Sequence, residues 1–224
     1  MIKIKHVSKR YRSGKVFINA LNNVSLNIEK GACVLFSGPS GSGKSTLLNV
    51  IGCLTRVSSG SYFLEGKDIS HWPDHFLSSL RRKKMGFIFQ QFNLIPGCSV
   101  WENVAAPLLP LGISKKERRL KALMALEKLN ISTRADFMAQ ELSGGQQQLV
   151  AIARALINNP DIILADEPIS NIDEKHIINV KNILFQQKNQ GKTIIITSHI
   201  ISSLMDIVDH TYDFDNGEIS YPSP

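Results

Sequence analysis

The segment GPSGSGKST at residues 38–46 has the residue types and spacing of a loop that binds phosphate. Its glycines allow backbone N–H groups to converge on phosphate oxygens, and Lys44 can reach the β and γ phosphates of a nucleotide. The Ser45 hydroxyl can ligate Mg²⁺ at the start of the helix that we expect to follow. A chance match to this pattern is on the order of 1% in a chain of this length. The predicted phosphate-binding residues are Gly38, Pro39, Ser40, Gly41, Ser42, Gly43, Lys44, Ser45 and Thr46.

Two acids, Asp166 and Glu167, end the apolar run IILA at residues 162–165. Open parallel sheets bind their ligands at the carboxyl ends of strands. Two acids at a strand end are more often a helix cap or a turn when they stand alone. Beside a phosphate-binding loop, Asp166 can hold Mg²⁺ through water, and Glu167 can orient and deprotonate an attacking water.

Gln90 and His199 end two further predicted strands, GFIFQ and IIITSH. A polar residue at a strand end is usually structural. Both strands are predicted parallel to the strand before the phosphate loop, so both side chains should project toward the γ-phosphate edge. Gln90 can ligate Mg²⁺ or water, and His199 can hydrogen-bond the γ-phosphate.

A second Ser-Gly-Gly occurs far downstream, in LSGGQQQLVAIARAL at residues 142–156. Ser143, Gly144 and Gly145 precede a helix predicted at residues 146–157, so a hydroxyl and glycine amides stand at a helix N-terminus. The alternative is a helix cap followed by a flexible turn. Residues 38–46 already cover one side of a triphosphate, which leaves the ligand of this second segment open.

Length and composition limit the classes of protein. The 224 residues fit one domain, and no window approaches the roughly 18 to 20 apolar residues of a membrane helix. The N-terminus lacks the apolar segment of a signal peptide, so we expect a soluble cytoplasmic protein. The cysteines, which follow no C-x-x-C spacing, are expected to be reduced and mostly core residues: Cys33, Cys53 and Cys98.

The net charge of +7 raises the possibility of a nucleic-acid or anionic membrane partner. We interpret the basic residues as dispersed, apart from RRKK at residues 81–84, and that run as a solvated helix end. The sequence therefore predicts no nucleic-acid partner.

The elements expected to position these residues alternate between strand and helix at both ends of the chain, with a helical lobe at residues 100–159 between them. Asn-Gly near the C-terminus indicates a hairpin turn. Strands are predicted at residues 2–7 and 24–28, both as edge strands, and at 32–37, 61–66, 86–90, 161–167, 193–198 and 211–220; helices are predicted at 44–52, 76–82 and 174–190.

The order and spacing of these motifs resemble the ATP-binding subunits of ABC transporters over essentially the whole chain. In that family the motifs are Walker A (GPSGSGKST), the Q-loop (Gln90), the signature (LSGGQ), Walker B (IILADE), the D-loop (SNID) and the switch histidine (His199). The resemblance implies an α/β fold with a RecA-like P-loop NTPase core, a mainly parallel sheet, an antiparallel β subdomain and an inserted helical subdomain. It implies one ATPase domain over residues 1–224, with residues 1–90 and 160–224 as the core and 91–159 as the helical subdomain.

The resemblance also implies the cofactors ATP and Mg²⁺, the activity of ATP hydrolysis, and a role for each motif. Tyr11 would stack on adenine, although an exposed aromatic at a strand end is the alternative. The signature of one copy would face the nucleotide of a second copy, so that ATP joins two copies into a homodimer. The implied catalytic residues are Glu167, His199, Gln90 and Lys44; the metal ligands are Ser45, Gln90 and Asp166; the further nucleotide-binding residues are Ser143, Gly144, Gly145, Gln146 and Asp173.

Several segments are similar to one branch of the family, the ATPases of lipoprotein release and of macrolide or peptide export (LolD and MacB type) and the cell-division member FtsE. They include ALNNVSLNI, GFIFQQFNLIP and WENVAAPLL. The branch implies integral membrane permease partners and a place on the inner face of the membrane through them. An FtsE-like regulatory ATPase that transports nothing and an importer ATPase stay open as alternatives.

The sequence departs from this branch at a few positions. Leu149 stands where arginine is usual, which predicts a missing ion pair or hydrogen bond on that helix. Ile169, Asn171 and Ile172 also depart, in and just before the D-loop. These departures leave open a slower ATPase or a specialised partner, while every implied catalytic residue is present.

Overall fold

The computed structural model describes residues 1–14, 16–170 and 172–220. The strands are β1 (Ile2–Ser13), β2 (Val16–Ile28), β3 (Cys33–Ser37), β4 (Ser59–Leu64), β5 (Lys67–Asp68), β6 (Met85–Ile88), β7 (Ile162–Asp166), β8 (Thr193–Thr197), β9 (His210–Asp215) and β10 (Glu218–Ser220). The helices are α1 (Lys44–Ile51), α2 (Asp74–Lys84), α3 (Val100–Ala105), α4 (Lys115–Glu127), α5 (Gly144–Leu156) and α6 (Glu174–Asn189). Short 3₁₀ turns lie at Ala106–Leu111, Ser132–Arg134 and Ala139–Glu141.

The larger sheet has the strand order β10-β9-β3-β8-β7-β6. Its neighbours from β9 to β6 are parallel, and β10 closes the edge as the antiparallel arm of a hairpin. Every residue of β3 and β8 is buried, as expected of parallel strands covered on both faces. The carboxyl ends of β3, β6, β7 and β8 therefore meet at one edge, as the sequence predicts.

The smaller sheet is antiparallel, with the order β2-β1-β4-β5. The prediction that both opening strands are edge strands is wrong for β1, which pairs with β2 on one side and β4 on the other. Both strands also run further than predicted, because bulges break the apolar alternation between residues 4 and 10.

Strand β1 carries a local group of basic residues, which the interpretation of dispersed charge does not single out. The strand contains no acidic residue, and the described chain gives its basic side chains no ion pair. Its basic residues are Lys3, Lys5, Lys9, Arg10 and Arg12.

The lobe between β6 and β7 is built from α3, α4 and α5, as its helical periodicity predicts. Trp101 and Leu126 of the lobe share one hydrophobic cluster with Leu35 and Ile163 of the parallel sheet. The lobe therefore packs directly on one face of the sheet. The subdomain boundaries at residues 91 and 159 stay a prediction.

The three cysteines are free thiols, as predicted. Cys33 and Cys53 are buried, and burial raises their pKa values to about 12 and about 11. Within the described residues, no helix has the length and apolar content needed to cross a membrane.

Candidate nucleotide-binding site

The glycine loop between β3 and α1 packs closely against the backbone of neighbouring strands. Gly38 and Gly43 have φ values of 126° and 109°, in the left-handed region that disfavours side chains. A Cβ at Gly38 would collide with the carbonyl oxygen of Phe214, and one at Gly43 would lie 2.6 Å from that of Ala20. Gly217 also donates its N–H to the Ser42 carbonyl at 2.9 Å. The loop's shape is therefore fixed by β2, β9 and the β9–β10 turn.

Lys44 opens α1 and turns its side chain back over this loop. Its buried ammonium donates to the carbonyl oxygens of Gly38 and Pro39 at 2.8 and 2.7 Å. Burial lowers the pKa of Lys44, and the carboxylates of Glu167 and Asp166 act in the opposite direction. The positive charge therefore sits at the point where the sequence predicts phosphate.

Asp166 ends β7 beside the start of α1. Its Oδ1 accepts hydrogen bonds from Ser45 Oγ at 2.8 Å and from the hydroxyl of Thr197. The predicted metal ligands Ser45 and Asp166 are therefore brought together, and their hard oxygen donors fit Mg²⁺. Sequence reasoning missed Thr197, whose signal was its position at the end of β8, directly opposite Asp166 in the parallel register.

Glu167 leaves the β7 strand with φ 48°, a left-handed conformation that is uncommon for a side-chain-bearing residue. Its N–H donates to the Thr197 carbonyl oxygen at 3.0 Å, and its side chain is 11% exposed. Its Oε2 lies 2.9 Å from His199 Nδ1, so these two predicted catalytic groups are also brought together. Within the described chain, Nε2 of His199 has no hydrogen bond, and the His199 side chain is 58% exposed.

Gln90 does not close its strand as predicted. β6 ends at Ile88, and Gln90 lies exposed in the turn that follows, with no hydrogen bond to Ser45 or Asp166 in the described structure. The strand ends early because the chain turns away through Phe92 and Asn93, which both have positive φ.

The segment after Gln90 is braced by the helical lobe, a feature that sequence reasoning missed. Arg154 of α5 donates to the carbonyl oxygens of Phe92 and Asn93 at 2.5 and 2.6 Å. Asn103 of α3 is fully buried and accepts from Ile95 N–H at 2.6 Å. A turn with few backbone partners of its own is therefore held by two side chains from the lobe.

Tyr11 lies on the β1–β2 hairpin, opposite Ile18, and is 40% exposed. Lys9 places its ammonium 4.9 Å from the centre of the ring. Leu21 on β2 lies next to Gly43, so the hairpin stands beside the glycine loop. The stacking of Tyr11 on adenine, which the resemblance implies, stays a prediction.

The signature segment begins α5 with a reciprocal cap. Gln146 N–H donates to Ser143 Oγ at 3.4 Å, and Ser143 N–H donates to Gln146 Oε1 at 3.1 Å. Ser143 and Gly144 are exposed, whereas Gly145 is buried. In the described chain no hydrogen bond joins this segment to residues 38–46. The helix cap is therefore present, and Ser143 and Gly144 stay exposed at its start.

The residues that depart from the branch have structural settings of their own. Leu149 is buried in the cluster that joins lobe and sheet, so it fills an apolar position. Asp173 caps α6 by accepting the His176 N–H at 3.0 Å, and the hydrogen bond from the His176 side chain lowers its pKa. Asn171 of the predicted D-loop lies outside the described residues.

Comparison with known proteins agrees with this geometry. A family model described as ABC transporter matches residues 21–170, well over half of the chain. This chain belongs to the ABC transporter family. It is an ABC-type ATPase, an ATP-binding subunit of the branch that includes the MacB proteins.

The relatives of this ABC ATPase include the ABC transporter ATP-binding protein YknY of Bacillus subtilis, 45% identical over 89% of this chain and 86% of that protein. The MacB macrolide export ATP-binding/permease protein of Mannheimia succiniciproducens is 46% identical over 89% of this chain but 31% of its own length. A solved dimeric structure of the ATP-binding cassette MJ0796 of Methanocaldococcus jannaschii, bound to ADP and phosphate, aligns with a TM-score of 0.92 and 42% identity over 98% of this chain and 97% of that one. The P-loop NTPase fold predicted from the sequence is confirmed.

Proposed function

We propose that this ABC ATPase hydrolyses MgATP at sites shared by two copies and thereby drives membrane permease subunits in export or in force transmission across the envelope. The observation that carries the proposal is the edge of the parallel sheet, where Ser45 meets Asp166 and Glu167 meets His199. These pairs lie next to a loop whose lysine is already held in place.

Each side chain at this edge has a step in the proposed hydrolysis. Lys44 exchanges its loop carbonyls for phosphate oxygens and neutralises charge on the γ-phosphate. Glu167 takes a proton from the attacking water as the bond between the γ-phosphorus and its bridging oxygen breaks, releasing ADP and phosphate. His199 orients Glu167 through Nδ1 and offers Nε2 to the phosphate.

Ser45, Asp166 and Gln90 would hold Mg²⁺, with Gln90 approaching from its exposed turn. The chemistry that the bound ion supplies is neutralisation of charge on the β and γ phosphates. Lys9 makes a cation–π contact with the Tyr11 ring. Tyr11 would stack on adenine with its other ring face.

A second copy would complete each site. Ser143, Gly144, Gly145 and Gln146 present a hydroxyl and N–H groups at the start of α5, and Asp173 stands nearby at the start of α6. In this proposal the hydroxyl and N–H groups of residues 143–146 reach the γ-phosphate held by residues 38–46 of the other copy. The dimeric MJ0796 cassette supports a two-copy arrangement.

A groove of 380 Å³ between α2, β6 and the lobe supports docking of a membrane partner. It runs beside the turn that holds Gln90, and its lining is mainly apolar but includes three arginines, Arg81, Arg82 and Arg154. We propose that a short cytoplasmic helix of a permease subunit binds there and places the ATPase on the inner face of the membrane. The lining includes Leu54, Arg81, Phe87, Phe89, Pro107 and Arg154.

Glu167→Gln tests the proposal, because it removes the base and keeps the phosphate contacts. Turnover should fall by a factor of about 10² or more while ATP binding is unchanged. The variant should also accumulate as a dimer when MgATP is present, as measured by sedimentation. A variant that hydrolyses ATP normally, or that stays monomeric at saturating ATP, would refute the assignment.

A further inference from the structure

The imidazole of His176 lies against the backbone of Gly145 in the first turn of α5. A Cβ at Gly145 would lie 2.6 Å from His176 Nε2, and Gly145 is buried beneath the ring. The ring is held from its other side, where Nδ1 lies 2.8 Å from both carboxylate oxygens of Asp173. His176 is therefore fixed between the cap of α6 and the start of the signature helix.

A second contact joins the same two segments one helical turn further along α5. Gln148 is 2% exposed, and its Nε2 donates to the Pro168 carbonyl oxygen at 2.6 Å. The first two turns of α5 thus rest on both ends of the segment that runs from Glu167 to His176. Gly145 directly follows the exposed Ser143 and Gly144, so the His176 contact is nearer to these donors than the Gln148 contact is.

The exposed donors depend on this support. Ser143 and Gly144 project from the helix start and are capped only by a residue of their own helix, Gln146. Nothing in that local cap sets where the helix start lies relative to the parallel sheet. The His176 ring adds a contact at the helix start itself, because it connects Gly145 to the Asp173 cap of α6, while Gln148 and the buried side chains of α5 hold the rest of the helix.

We propose that His176 is a positioning residue for the shared site: by supporting Gly145 it sets the location of the signature donors and so the affinity with which two copies close on ATP. This inference rests on the proposed function. A small displacement of donors that must meet a phosphate on another subunit weakens the contact steeply. A flat ring fits against a glycine, whereas alanine at position 176 would leave a gap there.

His176 has one competing role, which is to position Glu167 within its own chain. The two roles differ in what they change. Support of the signature donors affects the dissociation constant of the ATP-bound dimer. Support of Glu167 affects turnover in dimers that are already formed.

The experiment measures dimer dissociation by sedimentation in MgATP, with every variant placed in the Glu167→Gln background so that hydrolysis does not interfere. His176→Ala should raise the dissociation constant at least about ten-fold. Its affinity for a fluorescent ATP analogue, measured on the monomer at low protein concentration, should stay within two-fold, which is about 0.4 kcal/mol. His176→Asn, which keeps a donor for Asp173 but lacks the ring atoms that contact Gly145, should recover little of the dimer affinity.

His71→Ala is the matched control, because His71 is an exposed histidine outside the site, and it should leave dimerisation unchanged. An unchanged dimer constant in His176→Ala, with lowered turnover in the otherwise wild-type enzyme, would overturn the inference. A parent Glu167→Gln protein that stays monomeric would instead refute the proposed function itself.

A double-mutant cycle tests the contact directly. Gly145→Ala should weaken the dimer because the new Cβ would meet the His176 ring. In Gly145→Ala/His176→Ala that obstacle is gone, so the loss should be clearly smaller than the product of the two single losses. Losses that simply multiply would show that the ring and the glycine act independently, which contradicts the inference.

Discussion

The two glycine-rich helix starts of this ATPase differ in what surrounds them. The phosphate loop is enclosed by its own chain: Lys44 is buried on loop carbonyls, and backbone atoms crowd Gly38 and Gly43. The signature start is open, with Ser143 and Gly144 exposed. The phosphate loop is therefore surrounded by groups of its own chain, whereas the signature start exposes its hydroxyl and N–H groups to solvent.

The comparison extends to why each glycine is required. At Gly38 and Gly43 a side chain would strike the backbone of other strands, which cannot yield without disturbing the sheet. At Gly145 it would strike the ring of one side chain, His176. The backbone of the fold thus constrains the phosphate loop, whereas the first turn of the signature helix is constrained by one side chain.

The largest expected effect lies in the phosphate loop. Lys44→Ala should weaken ATP binding by the monomer by at least about 10², because the charged contact to the phosphates is lost. Equilibrium titration with a fluorescent nucleotide measures this. Lys116→Ala, an exposed lysine on α4, serves as the control and should bind normally. Full affinity in Lys44→Ala would remove the phosphate loop from the nucleotide site.

The next largest effect is expected at the signature helix start, where Ser143→Arg changes the cap residue. Hydrolysis should fall by at least about 50-fold, because a bulky cation replaces a phosphate donor, while ATP binding by the monomer stays within two-fold. Ser114→Arg is the matched control, since Ser114 caps α4 in the same lobe. It should cost only cap stability, about 1 kcal/mol, and leave turnover nearly unchanged.

Thr197→Val tests the sheet edge beside the phosphate loop. It removes the hydroxyl shared by Asp166 and Glu167 while keeping the shape of the side chain, so kcat should fall by about ten-fold with little change in KM. Thr193→Val at the opposite end of β8 is the control. Equal kcat values for the two variants would show that the hydroxyl of Thr197 has no role in catalysis.

The smallest expected effect is at Tyr11. Tyr11→Ala should raise KM for ATP by about five-fold without changing kcat, because one stacking face is lost, whereas Tyr11→Phe should behave as wild type. Steady-state kinetics separates the two variants. A normal KM in Tyr11→Ala would favour the alternative of an exposed aromatic at a strand end.

Sequence reasoning predicted the parallel core well because its strands are continuous apolar runs that end in chemically distinctive residues. Asp166, Glu167 and His199 could be placed together because strands in a parallel sheet share one carboxyl edge. The β1–β2 hairpin was predicted too short, since bulges and basic residues hide its alternation.

Other parts of the site depend on contacts between distant residues and carry no local signal. Arg154 contacts Phe92, which lies 62 residues earlier in the sequence, and His176 contacts Gly145, which lies 31 residues earlier. Neither pair shares a periodic pattern or a recognisable spacing. Thr197 was hidden for a different reason, because a threonine in a buried strand is most simply explained by β-propensity.

The shared site is tested most directly by mixing Ser143→Arg and Lys44→Ala subunits and measuring ATP hydrolysis. If Ser143 acts on the nucleotide of the other copy, a mixed dimer collects both lesions in one site and leaves the second site intact. Activity in the mixture should then rise clearly above that of either variant alone. A mixture as inactive as its parents, or a loss of monomeric ATP affinity in Ser143→Arg, would contradict the shared site.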